Sequence, residues 1–225
     1  MEGLARQPKF SDPVLMARKS QQCSQLYGFL ATVYRKEPTT EFIRKIKSPV
    51  VSMALSEAGI ELEADFFDRA EAELIFDLAV EYARLFVGPG KHIAPCESVH
   101  VPGGDQLWGE PAVAVQRFIS QTGFEFKREY KDLPDHISVE LEFMQQLSAA
   151  ESKAWAAADR EEAEKIRDIE VSFLKRHLSL WVSKFCNQVI ANTQAGYFRG
   201  MATLTQDFIA TDVTELEVTA EATFP

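Results

Sequence analysis

Apolar side chains recur at intervals of three and four residues along most of the chain, which is the period of an amphipathic α-helix. The first long stretch runs from Pro13 to about Arg35, where Asp12 can cap the helix and proline suits its first position. A second runs from about Glu63 to Phe86, and its apolar residues cover more than one face. Further helices are predicted after Thr40, Pro49 and Glu110, from Pro134, from Ile166 to Phe185, and from about Gly200 to Ile209.

The alternation of apolar and polar residues that marks a half-buried strand is nearly absent. Only Glu125 to Tyr130 and Glu215 to Thr219 alternate, and both stretches are short. The pattern therefore predicts an all-α fold, a single-domain helical bundle of about eight to ten helices with a long ordered loop. We expect an N-terminal tail over residues 1–12, a helical domain over 13–210 and a disordered acidic tail over 211–225.

The long loop is predicted from Lys91 to Gly109, a stretch rich in proline and glycine. It exceeds the usual connection of about four to six residues, so it is either functional or packed against the domain. The helix after it is predicted to begin at Pro134, which places Asp135 and His136 in its first turn. Polar side chains there can point past the helix end, so we expect function between Tyr82 and Met144.

Composition narrows the possible partners. A chain of 225 residues with 46% hydrophobic content can bury a sizeable core, and it has neither a long apolar run nor a secretory signal, so we expect it in the cytoplasm. Its three cysteines are far apart and odd in number, which fits free thiols in a reducing compartment. A formal net charge of −10 opposes nucleic acid or anionic membrane and favours a cationic partner, although acidity can also simply keep a protein in solution.

The sequence contains no recognised catalytic or metal-binding signature. His92, Cys96 and His100 are four residues apart, but they would line up only on a helix, which Pro95 and Pro102 oppose, so no metal site is expected. The stretch Gly88–Lys91 lacks the Walker spacing, and there is no nucleophile motif.

The sequence predicts different roles for two of the histidines. His177 lies within an apolar stripe, where a hydrogen-bonded core residue is expected. Asp135 and His136 form either a recognition pair for a cationic ligand or, in the simpler interpretation, a helix cap.

Four blocks, in this order, resemble the TorD/DmsD family of cytoplasmic redox-enzyme maturation chaperones. They are Tyr82-x-x-Leu85-Phe86-x-Gly88-Pro89, Pro95-x-x-Ser98-Val99, Pro134-Asp135-His136-Ile137-x-x-Glu140-Leu141-x-Phe143-Met144, and Phe173-x-x-x-His177-Leu178-x-x-Trp181-x-x-x-Phe185. One departure is that many members have Glu-Pro-x-Asp-His, whereas this chain has Asp132-Leu133-Pro134-Asp135-His136.

The resemblance implies an all-helical chaperone that is not an enzyme and has no cofactor of its own. Such proteins bind the twin-arginine leader peptide of a molybdopterin-containing oxidoreductase, hold the apoenzyme during cofactor insertion and delay export. Weak guanine-nucleotide binding is implied by the resemblance alone. The leader-binding residues carried over are Leu85, Phe86, Pro95, Asp135 and His136, with Tyr82 and Ser98 as supports.

Two other functions stay open at this point. One is an all-α enzyme acting on a nucleotide or phosphate ester, with His136 as general base oriented by Asp135. The other is a helical adaptor in which residues 82–144 only pack. Under the chaperone hypothesis, Leu85→Asp is expected to weaken leader binding and to spare stability, and the protein is expected to be a monomer or a helix-exchanged dimer.

Overall fold

The computed structural model describes residues 12–102, 107–123 and 133–221, and in these ranges it contains α-helices and no β-strand. The all-α prediction is confirmed, with eleven α-helices in the described ranges, slightly more than expected. The helices are α1 (Pro13–Arg35), α2 (Thr40–Lys47), α3 (Pro49–Glu57), α4 (Ala64–Asp68), α5 (Glu71–Tyr82), α6 (Glu97–His100), α7 (Glu110–Gln121), α8 (Ile137–Ala156), α9 (Arg160–Arg176), α10 (Leu178–Asn192) and α11 (Gly196–Glu221).

The centre of the bundle is built by α1 and α8, which pack along each other, with α9 against α8 and α11 against α10. Aromatic rings join these pairs into one core. The ring of Tyr34 on α1 makes an edge contact with Phe185 on α10, and Phe86 makes another with Phe198 on α11. One continuous apolar cluster therefore holds the helices together.

Local capping signals explain the first helices. The Val14 N–H donates to Asp12 Oδ1 at 3.0 Å, and Pro13 occupies the first turn of α1, as predicted. The cap of α2 is Thr39, whose Oγ1 accepts the Phe42 N–H at 3.2 Å, one residue before the predicted start.

The predicted helix from Ile166 to Phe185 is divided in two at His177, whose φ of −132° and ψ of −93° are not helical. Its side chain instead turns to Glu97, which lies 80 residues earlier in the chain, with Nδ1 3.0 Å from Oε2. A contact with a distant residue was not visible in the periodicity, which continues across the break.

The final helix is longer than expected. Residues 211–221, predicted to be a disordered tail, continue α11, and the alternating stretch after Glu215 is helical. Polar contacts to α1 explain the difference, because the Tyr27 hydroxyl donates to Asp212 at 2.6 Å and Lys19 pairs with Glu215 at 2.8 Å. The tails at 1–11 and 222–225 and the alternating stretch 125–130 lie outside the described residues.

Candidate functional site

The first half of the site is a π-helical turn, Ala83–Val87, which follows α5 directly. It closes with the Gly88 N–H donating to the Ala83 carbonyl at 2.5 Å. A Cβ at Gly88 would lie 2.9 Å from that carbonyl oxygen, so the close approach requires glycine. π-Turns occur frequently at functional sites, since the extra residue re-aims the side chains beyond it.

Three predicted site residues in and before this turn are buried. The exposed fractions of Tyr82, Leu85 and Phe86 are 5%, 1% and 6%. The Tyr82 hydroxyl donates to the Tyr34 carbonyl at 2.9 Å, and the Phe86 ring packs against Phe185 and Phe198. These side chains belong to the core, so Leu85→Asp would place a charge in the core and is not a neutral probe of binding.

The second part is the segment Ile93–His100, here called the bridging segment. Its Ile93 N–H donates to the Leu85 carbonyl at 2.7 Å, and the Pro95 carbonyl accepts the Ile137 N–H at 2.8 Å. Cys96 and His136 form an isolated antiparallel β-bridge. The bridging segment therefore joins the π-turn to the start of α8.

Asp135 and His136 cap two different helices. The fully buried carboxylate of Asp135 accepts the Ser98 N–H at 2.8 Å and so caps α6. His136 Nδ1 accepts the Ser138 N–H at 3.1 Å and caps α8, which begins at Ile137 and not at the predicted Pro134. The expectation that both side chains point past one helix end is wrong for Asp135, which faces inward.

Four buried ionisable residues form a cluster at the bridging segment, here called the acid–histidine cluster: Glu97, which belongs to the segment, and Asp135, Glu140 and His177. His177 is a buried, hydrogen-bonded residue, as predicted, and its partner is Glu97, which the sequence did not indicate. The Trp181 Nε1–H donates to Glu140 Oε2 at 3.4 Å. Burial raises the pKa of Glu140 well above its usual range, and the nearby charges of Glu97 and Asp135 raise it further.

Several polar atoms of this region have no hydrogen-bond partner among the residues that the structure describes. They are Ser98 Oγ, His100 Nδ1, Asp135 Oδ1, Glu140 Oε1 and His177 Nε2. Most buried polar atoms in proteins are satisfied, so this concentration marks the region as unusual. A proton on Glu140 would satisfy one of them, because the neutral carboxyl can donate to Glu97.

Sequence reasoning assigned no role to Glu97 or to Glu140, although Glu140 stands in the third motif block. Glu140 stands between the apolar residues Val139 and Leu141 in a helix of the core, and a carboxylate at such a position is rarely buried without a partner. That signal was available in the pattern. Glu97 gave none, because its helix has only four residues and its partner His177 is distant in the chain.

The surface of this region is formed in part by Pro95 and His136, which are both partly exposed. Elsewhere, a groove of about 1400 Å³ runs between α1, α2 and α3 and has apolar walls from Leu26, Phe29, Val50 and Leu55. Polar and charged residues, among them Gln22, Lys36, Glu37 and Lys45, line the rest of this groove.

Within the ranges that the structure describes, no group of three possible ligands is placed to hold a metal ion. His92 is exposed and lies near the Gly90 carbonyl, while His100 is buried with Nε2 2.7 Å from the Ala94 carbonyl. No helix in these ranges is both long and apolar enough to cross a membrane.

Comparison with known proteins identifies the family. The model of the family described as nitrate reductase delta subunit matches residues 48–187. The chain belongs to this family. Its resemblance to TorD/DmsD proteins is confirmed, because curated relatives include TorD chaperones.

Two relatives and one solved structure illustrate the similarity. The chaperone protein TorD of Psychrobacter sp. (strain PRwf-1) is 24% identical to this chain, and the alignment covers 88% of this chain and 92% of that protein. TorD of Shewanella pealeana is 25% identical, and its alignment covers 86% of this chain and 89% of that protein. A crystal structure described as a redox enzyme maturation protein from Archaeoglobus fulgidus has a TM-score of 0.49 at 18% identity and covers 94% of this chain and 98% of its own.

Proposed function

We propose that this protein is a cytoplasmic chaperone of redox-enzyme maturation, which binds the twin-arginine leader and the apo form of a molybdopterin-containing oxidoreductase. The observation that carries the proposal is the meeting of the motif blocks of the family at one place. The bridging segment bonds to Leu85 on one side and to Ile137 on the other. Residues distant in the chain thus form one structural unit whose outer side includes Pro95 and His136.

The chemistry of the leader fits the protein. A twin-arginine leader has two guanidinium groups followed by an apolar segment that can form a helix. The net charge of −10 attracts the arginines over a distance, and Pro95 and His136 offer an apolar face and an imidazole at close range. Burying two or three leucine-sized groups contributes on the order of 4 to 9 kcal/mol, part of which offsets the ordering of a flexible peptide.

We assign the contacting roles to Pro95 and His136, and supporting roles to Tyr82, Leu85, Phe86, Ser98 and Asp135, because the supporting side chains are buried. The apolar groove between α1 and α3 is a suitable surface for apolar segments of the apoenzyme. In this function the protein holds the client while the molybdenum cofactor is inserted and delays its export. It needs no cofactor of its own, and it works as a monomer or a helix-exchanged dimer.

The geometry does not support the alternative function, an enzyme with His136 as general base oriented by Asp135. A general base at His136 would need Asp135 to orient it. The Asp135 carboxylate instead accepts the Ser98 N–H, and its second oxygen has no partner within the described part of the chain. His136 Nδ1 is also occupied by the Ser138 N–H. This arrangement favours recognition over catalysis.

The test is calorimetric titration with a synthetic leader that carries two consecutive arginines, compared with the same peptide carrying two alanines. We expect the arginine peptide to bind in the micromolar range and the alanine peptide to bind at least about tenfold more weakly. His136→Asn should weaken binding several-fold and preserve stability, since asparagine also caps helices.

His92→Asn is the matched control, because His92 is an exposed histidine of the same loop. Its affinity should equal that of the wild type. No binding by the wild-type protein, or equal binding of both peptides, would exclude the proposed function. Equal affinity of His136→Asn and the wild type would exclude this contact residue.

A further inference from the structure

Resting on the proposed function, we infer that Asp135, Glu97 and His177 are positioning residues, which hold the bridging segment in place and affect leader binding only through it. This differs from the role that the family resemblance implies for the aspartate, a direct contact with the peptide. It also gives a role to Glu97, which none of the four motif blocks names, and to His177, which the fourth block names without a role.

The first argument is the enclosure of Asp135. Its exposed fraction is 0%, its Oδ2 accepts the Ser98 N–H at 2.8 Å, and its carbonyl accepts the Glu97 N–H at 3.0 Å. The next residue but one, Ile137, is bonded to the Pro95 carbonyl. A peptide guanidinium could reach the carboxylate only by displacing the bridging segment, whose main chain is bonded on both sides of Asp135.

The second argument is that other side chains hold the far end of the same segment. Glu97 Oε2 lies 3.0 Å from His177 Nδ1, at the break between α9 and α10. The ring of His100 stacks on Trp181 of α10, and the Lys184 ammonium donates to the His100 carbonyl at 2.8 Å. The segment is therefore fixed at one end by Asp135 and Ile137, at the start of α8, and at the other by His177, Trp181 and Lys184, in and just before α10.

The chemistry of position 135 separates positioning from direct contact. An asparagine there keeps an oxygen that can accept the Ser98 N–H. Its NH₂ group would replace Asp135 Oδ1, which accepts no hydrogen bond from any residue that the structure describes. Asparagine thus preserves the cap and removes the charge, whereas alanine removes both.

The experiment compares Asp135→Asn with Asp135→Ala in two measurements. Without peptide, amide hydrogen exchange of residues 93–100 should rise by about tenfold or more in Asp135→Ala and stay within about threefold of the wild type in Asp135→Asn. With the arginine leader, the affinity should fall by about tenfold or more in Asp135→Ala and by less than about threefold in Asp135→Asn.

Equal loss of affinity in both variants, with wild-type exchange in Asp135→Asn, would overturn the inference, since it would show that the charge itself meets the peptide. Unchanged exchange in Asp135→Ala would also overturn it. Glu97→Gln and Glu97→Ala form a second pair if Asp135→Ala does not fold, because glutamine keeps an oxygen near His177. If the wild-type protein binds no leader, the proposed function fails, while the exchange measurement still decides whether these residues hold the segment.

Discussion

The buried carboxyl of Glu140 allows a quantitative test of the acid–histidine cluster. The side chain is 0% exposed and lies beside Glu97 and Asp135, so burial and like charge both favour its neutral form. Its pKa is therefore raised well above the ordinary 4.5. Replacing Glu140 with glutamine substitutes a neutral side chain of the same shape for the protonated acid.

The sign and size follow from proton linkage. Between the ordinary pKa and the raised one, the folded protein holds a proton on Glu140 that the unfolded chain has lost. Stability of the wild type therefore falls as the pH rises through this window, by up to about 1.4 kcal/mol per pH unit. Glu140→Gln has no such loss, so its advantage over the wild type should grow with pH above the ordinary value, by up to about 1.4 kcal/mol per pH unit until the raised pKa is reached.

The assay is urea denaturation of both proteins at several values between about pH 5.5 and pH 7. The difference between variant and wild type cancels the contributions of Glu170 and Asp212, whose buried carboxyls also have raised pKa values. Glu57→Gln, at an exposed position at the end of α3, is the control and should change stability equally at every pH. Parallel curves for Glu140→Gln and the wild type would refute the reasoning.

Two further predictions concern the π-turn. Gly88→Ala should lower the free energy of unfolding by about 1 to 3 kcal/mol, because its Cβ would lie 2.9 Å from the Ala83 carbonyl oxygen. Gly28→Ala is the control, since its Cβ would meet only the far end of the flexible Gln145 side chain. Urea denaturation measures both variants, and equal stability of the two would show that the turn relaxes freely. Leu85→Ala should lower the free energy of unfolding by about 2 to 5 kcal/mol, and Leu85→Asp should lower it further, because Leu85 is buried. Thermal melting measures both variants, and a melting temperature equal to that of the wild type would contradict the burial of Leu85.

Local signals explain what the sequence predicted well. The start of α1 depends on Asp12 and Pro13, which are adjacent to it, and α7 begins at the predicted Glu110 and ends shortly before Gly123. Hydrophobic period and caps act over a few residues, so they are visible in a window of the chain. The fold class follows from the same local information.

Features set by distant contacts were not predictable in this way. The break at His177 depends on Glu97, and the length of α11 depends on Tyr27 and Lys19 of α1. The inward direction of Asp135 depends on the Ser98 N–H, 37 residues earlier in the chain. In each case a polar residue finds a partner far away in sequence, and no local pattern identifies which partner it takes.

Asp135 and His136 have different structural roles, and this affects how the motif would contribute to peptide recognition. Adjacent in sequence, they serve two helices, since the carboxylate caps α6 inside the protein and the imidazole caps α8 at its surface. The negative charge closest to the motif is therefore shielded from a peptide by the bridging segment. Under the proposed function, the net charge of −10 spread over the whole chain would attract the cationic leader and raise the rate of encounter, while close contacts at Pro95 and His136 would determine how long the peptide stays.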